Sequence, residues 1–147
     1  MNNTIAETDY VKKFRGAFIN MLRWEQFDRL WETLRNDPAD WYVYKLDEPV
    51  PEHSMDKTTW PTFLNEMSAQ LREHHGEDYC GIVYADNPEQ PTYIKIYDPN
   101  NLGVVCGISD LPPPLPGWVL SHEPPSTIDR NVFSAVKRKP WWKFLWK

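Results

Sequence analysis

Two cysteines and four histidines are the side chains of this chain best suited to act as nucleophiles or metal ligands. His74, His75, Asp78 and Cys80 come closest to forming a cluster. A zinc site on a helix needs histidines four residues apart, so that both rings share one face. His74 and His75 are adjacent, and adjacent helical residues point ~100° apart. The pair reads first as the solvated last turn of a helix, favoured there by the negative end of the helix dipole. A metal or ligand site at His74, His75 and Cys80, lying between a sheet and helices with Tyr84, Tyr97 and Cys106 nearby, is the alternative. His53 and His122 fall in loops and could join such a site only through the fold.

Cys80 and Cys106 sit on the first and third strands of an expected meander. Those strands are separated by two spacings of about 4.8 Å, beyond the ~7 Å between Cα atoms that a disulfide tolerates. Both thiols therefore read as free, buried and inert. Neither lies in a CxxC pair, so no redox or nucleophilic role is marked. The carboxylates Asp9, Glu25, Asp28 and Glu32 fall opposite apolar stripes and read as a solvated face. Glu77, Asp78 and Asp86 flank a strand. Acid–base chemistry needs two groups held in different environments, and no pair is singled out. A nucleophile elbow, a phosphate loop and a dinucleotide fingerprint are all absent, and the six glycines are scattered singly. No catalytic residue and no cofactor is assigned, and the reading leans away from an enzyme.

The most unusual composition is at the C-terminus. Val132–Lys147 holds five basic residues, three tryptophans, two phenylalanines and no acid. From Arg130 onward there are six basic residues, so the net charge of −5 divides into −11 before that point and +6 after it. Lys137, Arg138, Lys139, Trp141, Trp142, Lys143, Phe144 and Trp146 are the candidate binding residues. Tryptophan with lysine or arginine suits a membrane interface, and the same types are enriched at protein–protein hot spots. The tail can equally fold back on its own acidic body. That acidic body argues against nucleic acid as a partner, since phosphate binding rests on a cationic surface. A small-molecule ligand is not indicated either way.

The elements that would position these residues can be read in order. At 147 residues one domain is expected, with 41% apolar and 25% charged residues as in ordinary globular chains. Thr4 and Glu7 form a capping box. Tyr10, Phe14, Ala17 and Met21, then Trp24, Phe27, Trp31 and Leu34, fall at helical spacing. A phase shift at residues 22–27 predicts two helices meeting at Asn20–Trp24. Asp37-Pro38 ends the run. Trp41–Leu46 is a strand. Thr58 or Thr59 caps a helix with Trp60, Phe63, Leu64, Met67 and Leu71 on its apolar face, ending at Gly76.

Residues 79–108 then form the centre of the sheet, with strands at Cys80–Ala85, Thr92–Tyr97 and Gly103–Ile108. Tyr93, Lys95 and Tyr97 alternate with Ile94 and Ile96, which predicts one buried and one partly wet face. The strands at 41–46 and 80–85 flank a helix as in a βαβ unit and are candidates for a parallel pair. The proline run 111–117 is a stiff extended connector. Trp118–Ser121 is a short edge strand, and Thr127 caps a last helix.

The fold class is α+β: a small antiparallel or mixed sheet of about four or five strands covered by about three helices, with a C-terminal helical, aromatic tail. Residues 1–127 make the domain and 128–147 the basic extension. The polar, acidic start has no signal-peptide pattern, no apolar run approaches the ~20 residues that span a bilayer, and two cysteines suit a reducing cytoplasm. The expected function is that of a cytoplasmic accessory or adaptor protein that binds a protein partner, or the inner membrane surface, through its C-terminus.

Overall fold

A computed structural model describes residues 8–74, 80–97 and 115–128. The Thr4–Glu7 box, Gly76, the strand at Gly103–Ile108, Cys106, the proline run up to Pro114, the helix expected beyond Ile128 and the tail lie outside them. In chain order the elements are α1 (Asp9–Phe14), β1 (Ile19–Asn20), α2 (Trp24–Asn36), β2 (Tyr42–Lys45), α3 (Trp60–His74), β3 (Val83–Ala85), β4 (Tyr93–Ile96) and β5 (Trp118–Ser121). The strands form one sheet in the order β1-β3-β4-β5-β2, and all four pairings are antiparallel. The α+β class is thus as expected, with three helices among the described residues.

Two features of the topology differ from expectation. β2 and β3 are not a parallel pair: β4 and β5 stand between them, and three successive antiparallel pairings make them run in opposite directions. β5 is not an edge. It joins β4 to β2, with Ser121 opposite both Tyr93 and Tyr42. Among the described residues the edges are β1 and β2. Strand partners are chosen by long-range packing, which a local hydrophobic pattern does not encode.

The first helix is shorter than its apolar spacing suggests. α1 stops at Phe14, and Gly16 N–H closes the turn on Lys13 O at 2.9 Å. The chain then extends, so Ala17 and Met21 are not on a helix. Ile19 and Asn20 pair with Ala85 and Tyr84, and Met21 N–H donates to Val83 O at 2.8 Å. Sheet pairing outweighs helical propensity here, a contest that propensity routinely loses. Gly81, at φ 76°, takes the left-handed conformation that glycine adopts without a side-chain clash. Gly81 and Cys80 both donate their N–H groups back to the carbonyls of Met21 and Leu22.

α2 shows the i, i+3, i+4, i+7 spacing of a one-sided helix in Phe27, Leu30, Trp31 and Leu34, all buried. It starts with Arg23 N–H donating to Gln26 Oε1 at 2.9 Å and ends at Asp37, before Pro38. α3 is preceded by Asp56, whose carboxylate accepts the Thr58 N–H and whose carbonyl accepts those of Thr59 and Trp60. Thr59 holds the position before the helix, its carbonyl accepting the Phe63 N–H, and the Asp56 side chain bonds the turn that leads into it.

Both sheet faces are covered. α2 and α3 pack Leu30, Trp31, Leu34, Leu64, Met67 and Leu71 on Val83, Ala85, Ile94, Ile96 and Leu120. On the other face, Tyr10 and Phe14 of α1 and Ile128 pack on Tyr44, Tyr93 and Val119. The face expected to be partly wet is so: α1 covers it at Tyr93, while Lys95, Tyr84 and Tyr97 stay half-buried. Tyr93 is fully buried, 5.1 Å from Tyr10 and 5.7 Å from Phe18 between ring centroids, and its hydroxyl donates to Tyr10 O. Lys95 Nζ lies 4.1 Å over Phe18 and donates to Phe14 O.

Six residues make a marginal helix on their own, so α1 depends on its cap and its packing. Thr8 Oγ1 accepts the Val11 N–H and lies 2.8 Å from Ser126 Oγ, which ties the helix start to the segment after β5. Thr8→Ala is expected to cost about 1 kcal/mol, read as a lower urea midpoint with unchanged slope.

Candidate functional site

Sequence reasoning placed its candidates mostly outside the described residues. Lys137, Arg138, Lys139, Trp141, Trp142, Lys143, Phe144 and Trp146 lie there, as do His75, Asp78 and Cys106. His74 is the last residue of α3. Cys80 is a free thiol with no solvent exposure, and burial pushes its pKa up. It therefore has little nucleophilic character. Tyr84 and Tyr97 meet edge to face at 5.4 Å. Among the described residues no three His, Cys, Asp or Glu side chains are placed to hold a metal ion. No helix among them is long and apolar enough to cross a membrane.

The fold does gather residues that the sequence did not connect. His122 Nε2 lies 2.9 Å from Asp37 Oδ2, although the two are 85 positions apart. The same oxygen accepts Trp41 Nε1–H at 3.1 Å, and Asp37 Oδ1 accepts the Ala39 N–H at 2.9 Å. Burial alone would raise the Asp37 pKa. The hydrogen bonds from Ala39, His122 and Trp41 outweigh it and hold the carboxyl below its ordinary value. An aspartate orienting a histidine is half of a nucleophilic triad. Among the described residues no hydroxyl is bonded to this pair: that of Ser121 donates to Glu123 O, and that of Thr92 donates to Asp86. His122 instead stacks edge-on against Trp41 at 4.3 Å. Trp41 continues through Trp60 and Phe63 to Trp118, each ring within 6 Å of the next. The cluster clamps the end of α2 to the end of β5.

Beside it lie two adjoining hollows that share Thr33 and together make a trough. One wall is α2, from Gln26 through Arg29 and Thr33 to Asn36 and Asp37. The other is the β3–β4 connection, Pro88 through Thr92. Ile19, Met21 and Leu30 line one end and His122 the other. Asp86 makes the second wall rigid: its carboxylate accepts the N–H groups of Asn87, Thr92 and Tyr93 and the Thr92 hydroxyl. Asn87 Oδ1 accepts the N–H groups of Glu89 and Gln90. The Ile19 end holds about 280 Å³ and the His122 end about 510 Å³. Small-ligand pockets of that size normally enclose most of the ligand, whereas this trough is open along its length.

Ile19, on β1, lines the trough, and Leu22 follows just after that strand. They are the large hydrophobic side chains exposed among the described residues, at 52% and 56%. Single exposed aliphatics are ordinary. Two within four residues, on a strand whose outer side has no partner among the described residues, mark a place for docking, because such a strand also offers unpaired backbone groups.

Comparison of the chain with protein-family models, with curated proteins and with solved structures finds no match.

Proposed function

We propose that this chain is a non-enzymatic accessory protein of the cytoplasm that binds another protein through the β1 end of its sheet. The carrying observation is that Ile19 on β1 and Leu22 just after it are each more than half exposed, at the end of the sheet where the strand is only two residues long. In support, the only Asp–His pair among the described residues, Asp37 and His122, is bonded to none of their hydroxyls or thiols. The basic, tryptophan-rich segment 137–147 supplies a second contact, to the same partner or to the anionic inner membrane surface.

The test compares three full-length proteins: wild type, Ile19→Asp with Leu22→Asp, and a deletion of residues 137–147. Each is used to recover bound partners and is floated with vesicles containing phosphatidylglycerol. Loss of the wild-type partner from the double variant, with its circular dichroism spectrum retained, is the expected result. A partner recovered equally by the double variant and the deletion removes the reading. Stoichiometric zinc or iron in purified protein, lost in Cys80→Ser or His75→Ala, would replace it with a metal site.

A further inference from the structure

We infer that the trough along α2 takes an extended segment of the partner about five residues long, in which an acidic and a basic residue are adjacent. This rests on the protein-binding reading above and names the chemistry it recognises. The length follows from the wall. Gln26 to Asp37, the residue that caps α2, is eleven steps along the helix, ~16 Å at 1.5 Å each, and an extended chain covers that span in about five residues.

The charges follow from what is already paired. α2 carries Glu25, Asp28, Arg29, Glu32 and Arg35. Glu25 pairs with Arg23 at 3.3 Å, Glu32 with Arg35 at 3.5 Å, and Asp28 with Arg72 of α3. Arg29 is the α2 charge with no ion pair among the described residues, and it faces the trough. Glu89 on the opposite wall is likewise exposed and without an ion pair among them. Asp37 at the far end already accepts three donors and is not free to recruit a cation.

Successive side chains of an extended segment point in opposite directions. Neighbouring residues therefore meet opposite walls, so an acid facing Arg29 places its neighbour toward Glu89. Ile19, more than half exposed, and the half-buried Pro88 offer apolar contact to the flanking positions. Both walls are built before binding, one as a helix and one by the Asp86 and Asn87 bonds, so little ordering is needed on association.

The experiment measures fluorescence anisotropy of labelled, acetylated and amidated heptapeptides against the full chain. Their central pair is Glu-Lys, Lys-Glu, Glu-Glu, Lys-Lys or Ala-Ala between valine and leucine flanks. Wild type is expected to bind one mixed-charge order about three- to tenfold more tightly than Ala-Ala, the scale of partly exposed ion pairs. Arg29→Glu, at an exposed position that leaves the core intact, should move the preference to Lys-Lys. Glu89→Lys should move it to Glu-Glu. Binding that ignores residue 29 and residue 89, or no binding to any of the five peptides, overturns the inference. Either result leaves the Ile19 and Leu22 comparison standing as a separate test of the docking edge.

Discussion

Trp31→Ala should lower the free energy of unfolding by about 3–5 kcal/mol, the largest loss expected from a single substitution in this chain. Trp31 is 1% exposed, stacks on Phe27 with ring centroids 4.2 Å apart, and donates its indole N–H to Leu64 O at 2.8 Å. Trp60 returns the gesture from α3, donating to Leu34 O at 2.9 Å. The two helices therefore lie on the sheet as a pair fastened by reciprocal indole bonds. Truncating Trp31 leaves a cavity where the helices and sheet meet and removes one of the two fasteners. Single domains hold only about 5–15 kcal/mol of stability, so the variant should be partly unfolded at 37 °C. Trp31→Phe keeps the stack and loses the donor, with an expected cost of about 1–2 kcal/mol. Urea titrations followed by far-ultraviolet circular dichroism separate the two. Equal losses in both variants would assign the effect to the hydrogen bond and not to packing volume.

The residues that make this clamp were legible in the sequence, because Phe27, Leu30, Trp31 and Leu34 repeat at a helical period. So were Trp60 to Leu71 and the alternation through Tyr93–Ile96. What local pattern misreads is the stretch 15–22. Met21 keeps helical phase with Phe14 and is indeed buried, but it reaches the core from an extended segment paired with β3. Burial was readable there and backbone state was not. The order of strands was equally hidden, since β5 sits between β4 and β2 only once all four antiparallel registers are satisfied.

The trough was hidden for a different reason. Glu25, Asp28 and Glu32 read as a solvated face, and they are exposed. What distinguishes Arg29 among them is which charges already have partners. The partner of Asp28 is Arg72, 44 positions along the chain. Pairing of that kind is a property of the fold, and no spacing rule announces it. His122 illustrates the same limit. The sequence placed it in a loop, where it is, and nothing near it pointed to Asp37, which had been read only as the stop of a helix.

Asp37→Ala is the second large prediction, at about 2–4 kcal/mol. Trp41 is 2% exposed, and its indole N–H has Asp37 Oδ2 as acceptor. Removing the carboxylate leaves that donor buried and unpaired, which costs about 1–3 kcal/mol. The Ala39 N–H and the ring of His122 lose the same partner. The charge gives the effect a pH signature. The folded pKa of Asp37 lies below its ordinary value, and unfolding returns it to about 3.9. Its stabilising contribution is therefore complete above the unfolded pKa and is lost as pH falls through the folded one. Wild type should keep its full advantage over Asp37→Asn at pH 5 and above, and that advantage should shrink as pH falls below about 4. Urea midpoints at pH 3, 5 and 7 measure it. An advantage that stays constant into acid would mean that the shape of the acceptor, and not its charge, holds Trp41 and His122 together at the end of the trough.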